Sequence, residues 1–322
     1  MDMENDRLYI SMYHYTRDLP HSRYPHIKGM DVGIFRQQLE FFKENFNVVR
    51  MEDVIEAVCH GGMLPENALL LTFDDGYADN FTYAFPILEE YGLHGSFFIP
   101  GKTFAEHTLL DVNKIHYILA SSDHRELVAD IKEKMDLYRG EEYDYPPTDE
   151  LWEKYAVDGR FEGREPTFAK RILQTVLPEK IRNRISSELF EKYVGVSEET
   201  LAYELYMTPE QIRTLKRHGM FIGLHGYDHY WLGNLPPEKM KEDISKALEV
   251  MDEFIDRDQW VMNYPYGSYN DEVLSFIKSE GACIGLTTEV RAADITEDAP
   301  LELPRLDCND FPPKSENYRE KI

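Results

Sequence analysis

Residues 68–76 read ALLLTFDDG, a largely apolar run that leads directly into two aspartates and a glycine. A continuous apolar run of this length is typical of a parallel strand that is covered on both faces. The two carboxylates at its end oppose each other's ionisation, because they are like charges at close range. A metal ion bound to one of them would relieve that conflict and leave the other available as a base. The alternative is an ordinary turn in which one aspartate caps the next helix.

Similar runs recur along the chain and alternate with amphipathic segments. The other predicted strands are Leu8–Met12, Gly95–Ile99, Met220–Leu224, Trp260–Met262, Ala282–Leu286 and Leu301–Leu306. The predicted helices include Ile34–Phe46, Asn80–Tyr91, Pro237–Ile255 and Asn270–Ser279. This alternation predicts an α/β fold whose sheet is either open or closed into a (β/α) barrel, and we favour the barrel.

Residues from about 103 to 206 break the alternation. They are mostly charged, have helical periodicity and include a loop rich in tyrosine and proline at 141–147. The sequence therefore predicts a barrel formed by residues 1–102 and 207–322, with a helical insertion at 103–206. Covering the site is one use for such an insertion, and an interface in a homo-oligomer is the other.

Composition excludes several classes of protein. Acidic residues outnumber basic ones 60 to 35, for a formal net charge of −25, which disfavours nucleic acids and anionic membranes as partners. The three cysteines, Cys59, Cys283 and Cys308, are too few and too widely spaced for a disulfide framework. The N-terminus has acids where a signal peptide needs basic residues, and no apolar run reaches the ~18 residues of a membrane span. We expect a cytoplasmic protein without a membrane span.

Three further groups of residues follow predicted strands. His225 and His229 come after Met220–Leu224, and two imidazoles four residues apart can bind one cation, although a lone histidine is usually structural. The sequence NYPYG at 263–267 can present the backbone N–H of Tyr266 to an oxyanion, or it is an ordinary loop. His14 follows Leu8–Met12. Catalytic groups of parallel barrels gather at the C-terminal ends of strands, so one carboxylate and two histidines there predict a hydrolytic metal site.

These motifs resemble those of the polysaccharide deacetylase family, also called carbohydrate esterase family four or the NodB-homology domain. Thr72–Gly76 reads TFDDG, as in the first motif of the family, and His225 and His229 match its H-x-x-x-H motif. Pro265 and Tyr266 match the end of its R-x-P-Y motif. The resemblance runs from the N-terminal strand to about residue 310, apart from the insertion, and implies a distorted seven-stranded barrel.

The resemblance also implies the chemistry. Asp75, His225 and His229 would hold a divalent metal ion, with zinc as the default and cobalt, nickel or iron as alternatives. Asp74 would be the general base, and the Tyr266 N–H would stabilise the oxyanion. The implied reaction is removal of an N-acetyl group from an amino sugar, sugar nucleotide or oligosaccharide in surface glycan metabolism.

The sequence departs from the family pattern in two places. Asn263 stands where the family has an arginine that orients the base, and the C-terminal L-x-H motif that supplies the acid is missing. Tyr13-His14 resembles the circularly permuted arrangement of poly-N-acetylglucosamine deacetylases, so His14 is the predicted acid. Arg305 and Asp307, at the end of the last predicted strand, are predicted to replace the arginine and orient His14.

Other interpretations remain open at this point. The substrate could be an O-acetyl ester or a non-sugar amide, and the two departures also fit a catalytically impaired glycan-binding protein. A non-haem iron oxygenase shares the ligand types but normally has a different fold. The loop after His14 carries Arg17, Arg23, Tyr24 and Lys28. Its basic residues are either solvated or contacts for an anionic substrate group.

Overall fold

The computed structural model describes residues 7–140 and 144–321, and the chain in it forms two compact units. The barrel unit comprises Met1–Asp18, Gly29–His107 and Glu204–Ile322. The helical unit comprises Leu19–Lys28 and Thr108–Tyr203. The loop predicted at 141–147 falls partly outside the described residues.

The strands all belong to the barrel unit. In chain order they are β1 (Arg7–Tyr13), β2 (Thr16–Arg17), β3 (Met30–Asp31), β4 (Asn47–Val49), β5 (Ala68–Phe73), β6 (Ser96–Ile99), β7 (Phe221–Leu224), β8 (Trp260–Asn263), β9 (Ala282–Leu286), β10 (Ala293–Asp294) and β11 (Leu306–Asp307). The helices are α1 (Val32–Asn45), α2 (Met51–His60), α3 (Phe85–Tyr91), α4 (Gly101–Ala105), α5 (Asp111–Ser121), α6 (His124–Tyr138), α7 (Thr148–Tyr155), α8 (Arg164–Arg171), α9 (Glu179–Val194), α10 (Glu198–Leu205), α11 (Pro209–Arg217), α12 (Pro237–Met251) and α13 (Asp271–Ser279).

The predicted (β/α) barrel is confirmed. Six strands pair in parallel in the order β1, β5, β6, β7, β8, β9. The chain after β9 then closes the sheet, because Leu303 pairs with Leu286 of β9 and β11 pairs in parallel with β1. The carboxyl ends of these strands therefore share one rim, where side chains from distant parts of the sequence meet.

Burial on both faces explains the apolar run of β5. All six of its residues are buried. Leu69, Leu71 and Phe73 pack in one core cluster with helices, whereas Ala68 and Leu70 belong to a second cluster. Alternate residues of a strand point to opposite faces, so a strand with apolar cover on both sides has to be apolar throughout.

Helix ends follow the residue chemistry of the sequence. Thr208 caps α11 through a reciprocal pair of hydrogen bonds with Gln211, and Pro209 is the first helical residue. The chain leaves α11 through Gly219, whose φ of 78° lies in the left-handed region. The predicted helix Asn80–Tyr91 is confirmed in part, since residues Asn80–Ala84 form a π-helical turn before α3.

The last predicted strand, Leu301–Leu306, is wrong in its length. Residues Pro300–Glu302 form a single 3₁₀ turn, Leu303 makes an isolated bridge, and β11 contains only Leu306 and Asp307. Pro300 has no N–H for a ladder and fixes φ, which favours a turn at this point. Closure of the barrel thus rests on a few hydrogen bonds, including those between Leu303 and residues Gly285 and Thr287.

The helical unit has its own core. Residues Phe168, Ile185 and Leu189 are fully buried, and Asp123 caps α6 with its carboxylate. Tyr24, from the short segment Leu19–Lys28, donates its hydroxyl to the Val194 carbonyl at 3.1 Å. The sequence analysis places that segment in the barrel, and its predicted insertion has the bounds 103–206, whereas the main segment of this unit is Thr108–Tyr203.

Within the described residues, none of the helices is long and apolar enough to cross a membrane.

Candidate active site

The residues singled out by the motifs lie at the carboxyl ends of the barrel strands. Asp74 and Asp75 follow β5, and His225 follows β7. Asn263 ends β8, and His14 comes directly after β1. Parallel pairing therefore brings together side chains that are far apart in the sequence.

Asp75, His225 and His229 form a compact cluster. Asp75 Oδ1 lies 3.3 Å from His225 Nε2 and 3.2 Å from His229 Nε2, and all three side chains are buried. Their three ligand atoms lie within 4.8 Å of one another. Within the described residues this is the one group of three or more such side chains that could hold a metal ion.

The contacts around this cluster leave the Nε2 atoms of the two histidines and Oδ1 of Asp75 facing one another. His225 Nδ1 lies 2.7 Å from the Asn263 carbonyl oxygen, which can only accept, so Nδ1 is the donor and Nε2 is the nitrogen left to face Asp75. Burial is the largest influence on the pKa of His229 and lowers it, which favours the neutral imidazole. Asp75 Oδ1 is buried without a hydrogen-bond donor. A buried carboxylate oxygen that faces two imidazoles fits a divalent cation, which would satisfy all three atoms.

The backbone around the cluster is held in unusual conformations. Asp75 and His229 have φ values of 70° and 57°, in the left-handed region that residues other than glycine seldom adopt. Asp243, from α12, accepts the backbone N–H groups of Tyr227 and Asp228 at 3.0 and 2.9 Å and so fixes the loop between the two histidines. Burial raises the pKa of Asp243 to about 6. Strain of this kind persists only where surrounding contacts impose it, and it clusters at functional sites.

Asp74 has different partners. Its Oδ1 accepts 2.6 Å and 2.9 Å hydrogen bonds from Asn263 Nδ2 and Arg305 Nη1, and Arg305 Nη2 also donates to Asn263 Oδ1 at 2.9 Å. Burial by itself raises the pKa of Asp74, but Arg305 and then His14 outweigh it and leave the pKa below its ordinary value. Asp74 is therefore an anion at neutral pH, with one oxygen fully engaged.

His14 faces the other oxygen of Asp74. Its Nε2 lies 3.9 Å from Asp74 Oδ2, and its side chain is 40% exposed. One nitrogen of His14 is thus near the buried carboxylate while the ring is open to solvent. A group in this position can exchange protons with water and with a molecule bound beside Asp74.

The two remaining predicted residues have mixed surroundings. Asp307 Oδ1 accepts hydrogen bonds from the Asn309 backbone and side-chain amides at 2.8 and 2.7 Å, and so caps a turn. Its predicted role toward His14 stays a prediction. Tyr266 has a φ of 58°, and its ring stacks on Trp231 at 4.3 Å and meets His229 edge-on at 4.7 Å. Tyr266 therefore lies against the histidine cluster.

Neither reading of the basic loop holds for Arg17. Arg17 is 7% exposed, and its Nε donates to Asp79 Oδ2 at 2.5 Å. Arg17 and Asp79 therefore form an ion pair inside the barrel unit. Lys28 belongs to the helical unit, where its Nζ pairs with Glu162 at 3.2 Å. Arg23 lies over the ring of Tyr24 at 5.0 Å.

Comparisons with known proteins match the chain to one family. The model of the family described as "Polysaccharide deacetylase" matches residues 61–283. The Bacillus subtilis (strain 168) protein YxkH, which is named for the same activity, is 29% identical over 94 residues, or 29% of this chain and 34% of YxkH. A poly-β-1,6-N-acetyl-D-glucosamine N-deacetylase of Escherichia coli (strain K12) is 42% identical over 57 residues, or 17% of this chain and 8% of that protein. The matched stretches thus span about a third or less of these curated relatives.

A solved structure shares the fold over the full length. The Streptococcus pyogenes deacetylase PplD, solved in complex with acetate, matches with a TM-score of 0.58 and 17% identity, covering 99% of both chains. At this identity, the likeness concerns the fold alone.

Proposed function

This chain belongs to the polysaccharide deacetylase family, as its motifs predict, and on that premise we propose that it is a metal-dependent hydrolase that removes an N-acetyl group from an amino sugar. One observation carries the proposal. Asp75 Oδ1 is buried without a donor between two imidazole nitrogens, while the neighbouring Asp74 is held as an anion by Arg305 and Asn263. Such a pair provides a cation site and a base next to each other.

Asp75, His225 and His229 would hold the metal ion. A divalent ion there would supply Lewis acidity, which polarises the acetyl carbonyl and acidifies a water molecule. Zinc is the expected ion because it is the commonest hydrolytic ion with nitrogen and carboxylate ligands, and cobalt, nickel or iron suit the same donors.

Asp74 would act as the general base. Its Oδ1 is engaged by Asn263 and Arg305, which leaves Oδ2 to take the proton of the attacking water. Arg305 then stands in for the arginine that Asn263 replaces in the family motif, and both residues fix the direction of the carboxylate.

His14 would act as the general acid. An amide nitrogen is a poor leaving group until it gains a proton, so hydrolysis needs a donor beside the scissile bond. His14 Nε2 lies 3.9 Å from Asp74 Oδ2 and the side chain is 40% exposed, which suits delivery of a proton to the departing amine and reprotonation from water. The Tyr266 backbone N–H would donate to the developing oxyanion.

The proposed substrate is a β-linked N-acetylglucosamine oligosaccharide. Its support is the 42% identity over 57 residues to an Escherichia coli enzyme named for this glycan. The predicted His14 arrangement is the one that resembles such enzymes. Sugar nucleotides with an N-acetyl group are the second class to be tested.

The test compares wild type with Asp74→Asn for acetate release after loading with zinc. Asn keeps the size of the side chain and an oxygen for Arg305, but it cannot take a proton. We expect kcat to fall by roughly 10²- to 10⁴-fold while zinc binds with wild-type stoichiometry. Asp298→Asn is the matched control, since Asp298 is also paired with an arginine, Arg291, but through a partly exposed contact outside the site.

The substrates are N-acetylglucosamine oligosaccharides and UDP-linked N-acetyl sugars, assayed for acetate and free amine. Equal rates for Asp74→Asn and wild type would remove Asp74 as the base. No release by zinc-loaded wild type from any of these compounds would overturn the proposed activity.

A further inference from the structure

Tyr77 holds the oxygen of Asp75 that does not face the histidines. Its hydroxyl donates to Asp75 Oδ2 at 2.5 Å, and Tyr77 itself is fully buried. Oδ1 of the same carboxylate is the atom that lies 3.2–3.3 Å from His225 and His229. The two oxygens of one side chain thus have different neighbours.

The ring of Tyr77 is firmly placed. It stacks on Tyr15 at 4.0 Å between centroids, with 12° between the ring planes, and runs parallel to Tyr206 at 6.3 Å, again with 12°. Tyr77 and Tyr206 also form an antiparallel bridge, next to the 2.9 Å hydrogen bond from the Met207 N–H to the Gly76 carbonyl. The hydroxyl therefore has a fixed position relative to the backbone of Asp75.

A carboxylate without such a donor can rotate about its Cβ–Cγ bond and exchange its two oxygens. A hydrogen bond to Oδ2 removes that freedom and keeps Oδ1 directed at the imidazoles. It would also keep Oδ2 from turning toward a bound ion or toward Asp74. Partners that orient a ligand from outside the coordination sphere commonly contribute 10- to 100-fold, roughly, to metal affinity.

We propose that Tyr77 is a positioning residue for the metal site, whose hydroxyl selects Oδ1 of Asp75 as the atom presented to the cation. The proposal rests on the proposed metal site. It concerns a residue that would act through Asp75 and would not itself be a ligand.

Zinc affinity of Tyr77→Phe, measured by competition with a chromophoric chelator, tests the proposal. Phe keeps the ring and removes only the donor, so the dissociation constant for zinc should rise by roughly 10- to 100-fold, and saturating zinc should restore acetate release. The matched control is Tyr24→Phe, which removes a buried tyrosine hydroxyl that donates to the Val194 carbonyl in the helical unit. Its zinc affinity should equal that of wild type.

Two unnatural residues separate the hydrogen bond from packing. With 4-aminophenylalanine at position 77, an N–H replaces the O–H, and zinc affinity should stay within a few-fold of wild type. With 4-fluorophenylalanine, the volume stays and the donor is lost, which covers the case in which Tyr77→Phe does not fold. A folded donor-free variant with wild-type zinc affinity overturns the role of Tyr77 and leaves the metal site intact. Failure of wild type to bind zinc overturns the metal site and this proposal together.

Discussion

Asp74 and Asp75 are adjacent in the chain and are 1% and 2% exposed, yet the two sides of the site that they define differ in almost every contact. On the Asp74 side, two donors from Asn263 and Arg305 converge on a single oxygen. On the Asp75 side, Oδ1 faces the imidazoles of His225 and His229, and Oδ2 accepts a hydrogen bond from Tyr77.

The difference supports the separate roles that we propose for these two neighbouring carboxylates. A cationic side chain stabilises the charge of Asp74 within the protein, so this carboxylate needs no ligand from outside. In the part of the chain that the structure describes, no arginine or lysine pairs with Asp75, and a cation bound together with the imidazoles would balance its charge.

The largest effect is expected on the Asp75 side, from Asp75→Asn. This change removes the ligand charge itself, so zinc affinity should fall by more than the roughly 100-fold that an outer partner can contribute, and activity should fall with it. Chelator competition and acetate release measure the two losses. Wild-type zinc affinity in Asp75→Asn, or loss of zinc in Asp74→Asn, would contradict the assignment of separate tasks.

The second effect concerns His14, which lies on the Asp74 side. His14→Gln should lower kcat for N-acetyl sugars by roughly 10²-fold or more, because the departing amine needs a proton. Zinc affinity should not change, since His14 is not in the ligand cluster.

The leaving group distinguishes an acid from a structural residue at position 14. Nitrophenolate leaves without a proton, so hydrolysis of p-nitrophenyl acetate should be affected far less by His14→Gln than hydrolysis of the amide. Equal losses on both substrates would show that His14 does not act as the acid.

Local sequence patterns were enough to predict the barrel and the proximity of Asp75, His225 and His229. The apolar run of β5 fixes its burial on both faces, and parallel strands must end at a common rim. The proximity of His225 and His229 could be predicted because both residues lie on the loop that follows β7. The arrangement of these residues could thus be inferred from short segments.

Contacts between distant segments were much harder to predict. Asn263 seemed to be a missing arginine, but its amide lies between Asp74 and Arg305, which are 189 and 42 residues away along the chain. Tyr77 follows the TFDDG motif directly, yet only the fold shows that its hydroxyl returns to Asp75. Arg17 was expected on a loop at the rim, and its burial against Asp79 depends on packing that no local pattern reports.

The smallest effect on activity is expected from Arg305→Lys, which keeps the charge beside Asp74 but loses the fork that joins Asp74 to Asn263. We expect kcat/KM to fall by roughly 10-fold, because Asn263 still donates to Asp74. This is less than the roughly 10²-fold loss of rate that follows when a catalytic group is displaced by about 1 Å. Zinc affinity should be unchanged. Arg305→Ala should also destabilise the fold, since loss of one partner of a buried ion pair lowers the free energy of unfolding by about 3–5 kcal/mol.

Arg291→Lys is the control for this series, because Arg291 pairs with Asp298 through a contact in which its side chain is 34% exposed. Thermal unfolding and kcat/KM are measured on the same preparations at saturating zinc. If Arg305→Ala retained wild-type kcat/KM, Arg305 would not orient the base, and Asn263 alone would hold Asp74. A loss of zinc affinity in Arg305→Lys would instead show that the two sides of the site are coupled, because the change touches Asp74 and leaves every contact of Asp75 in place.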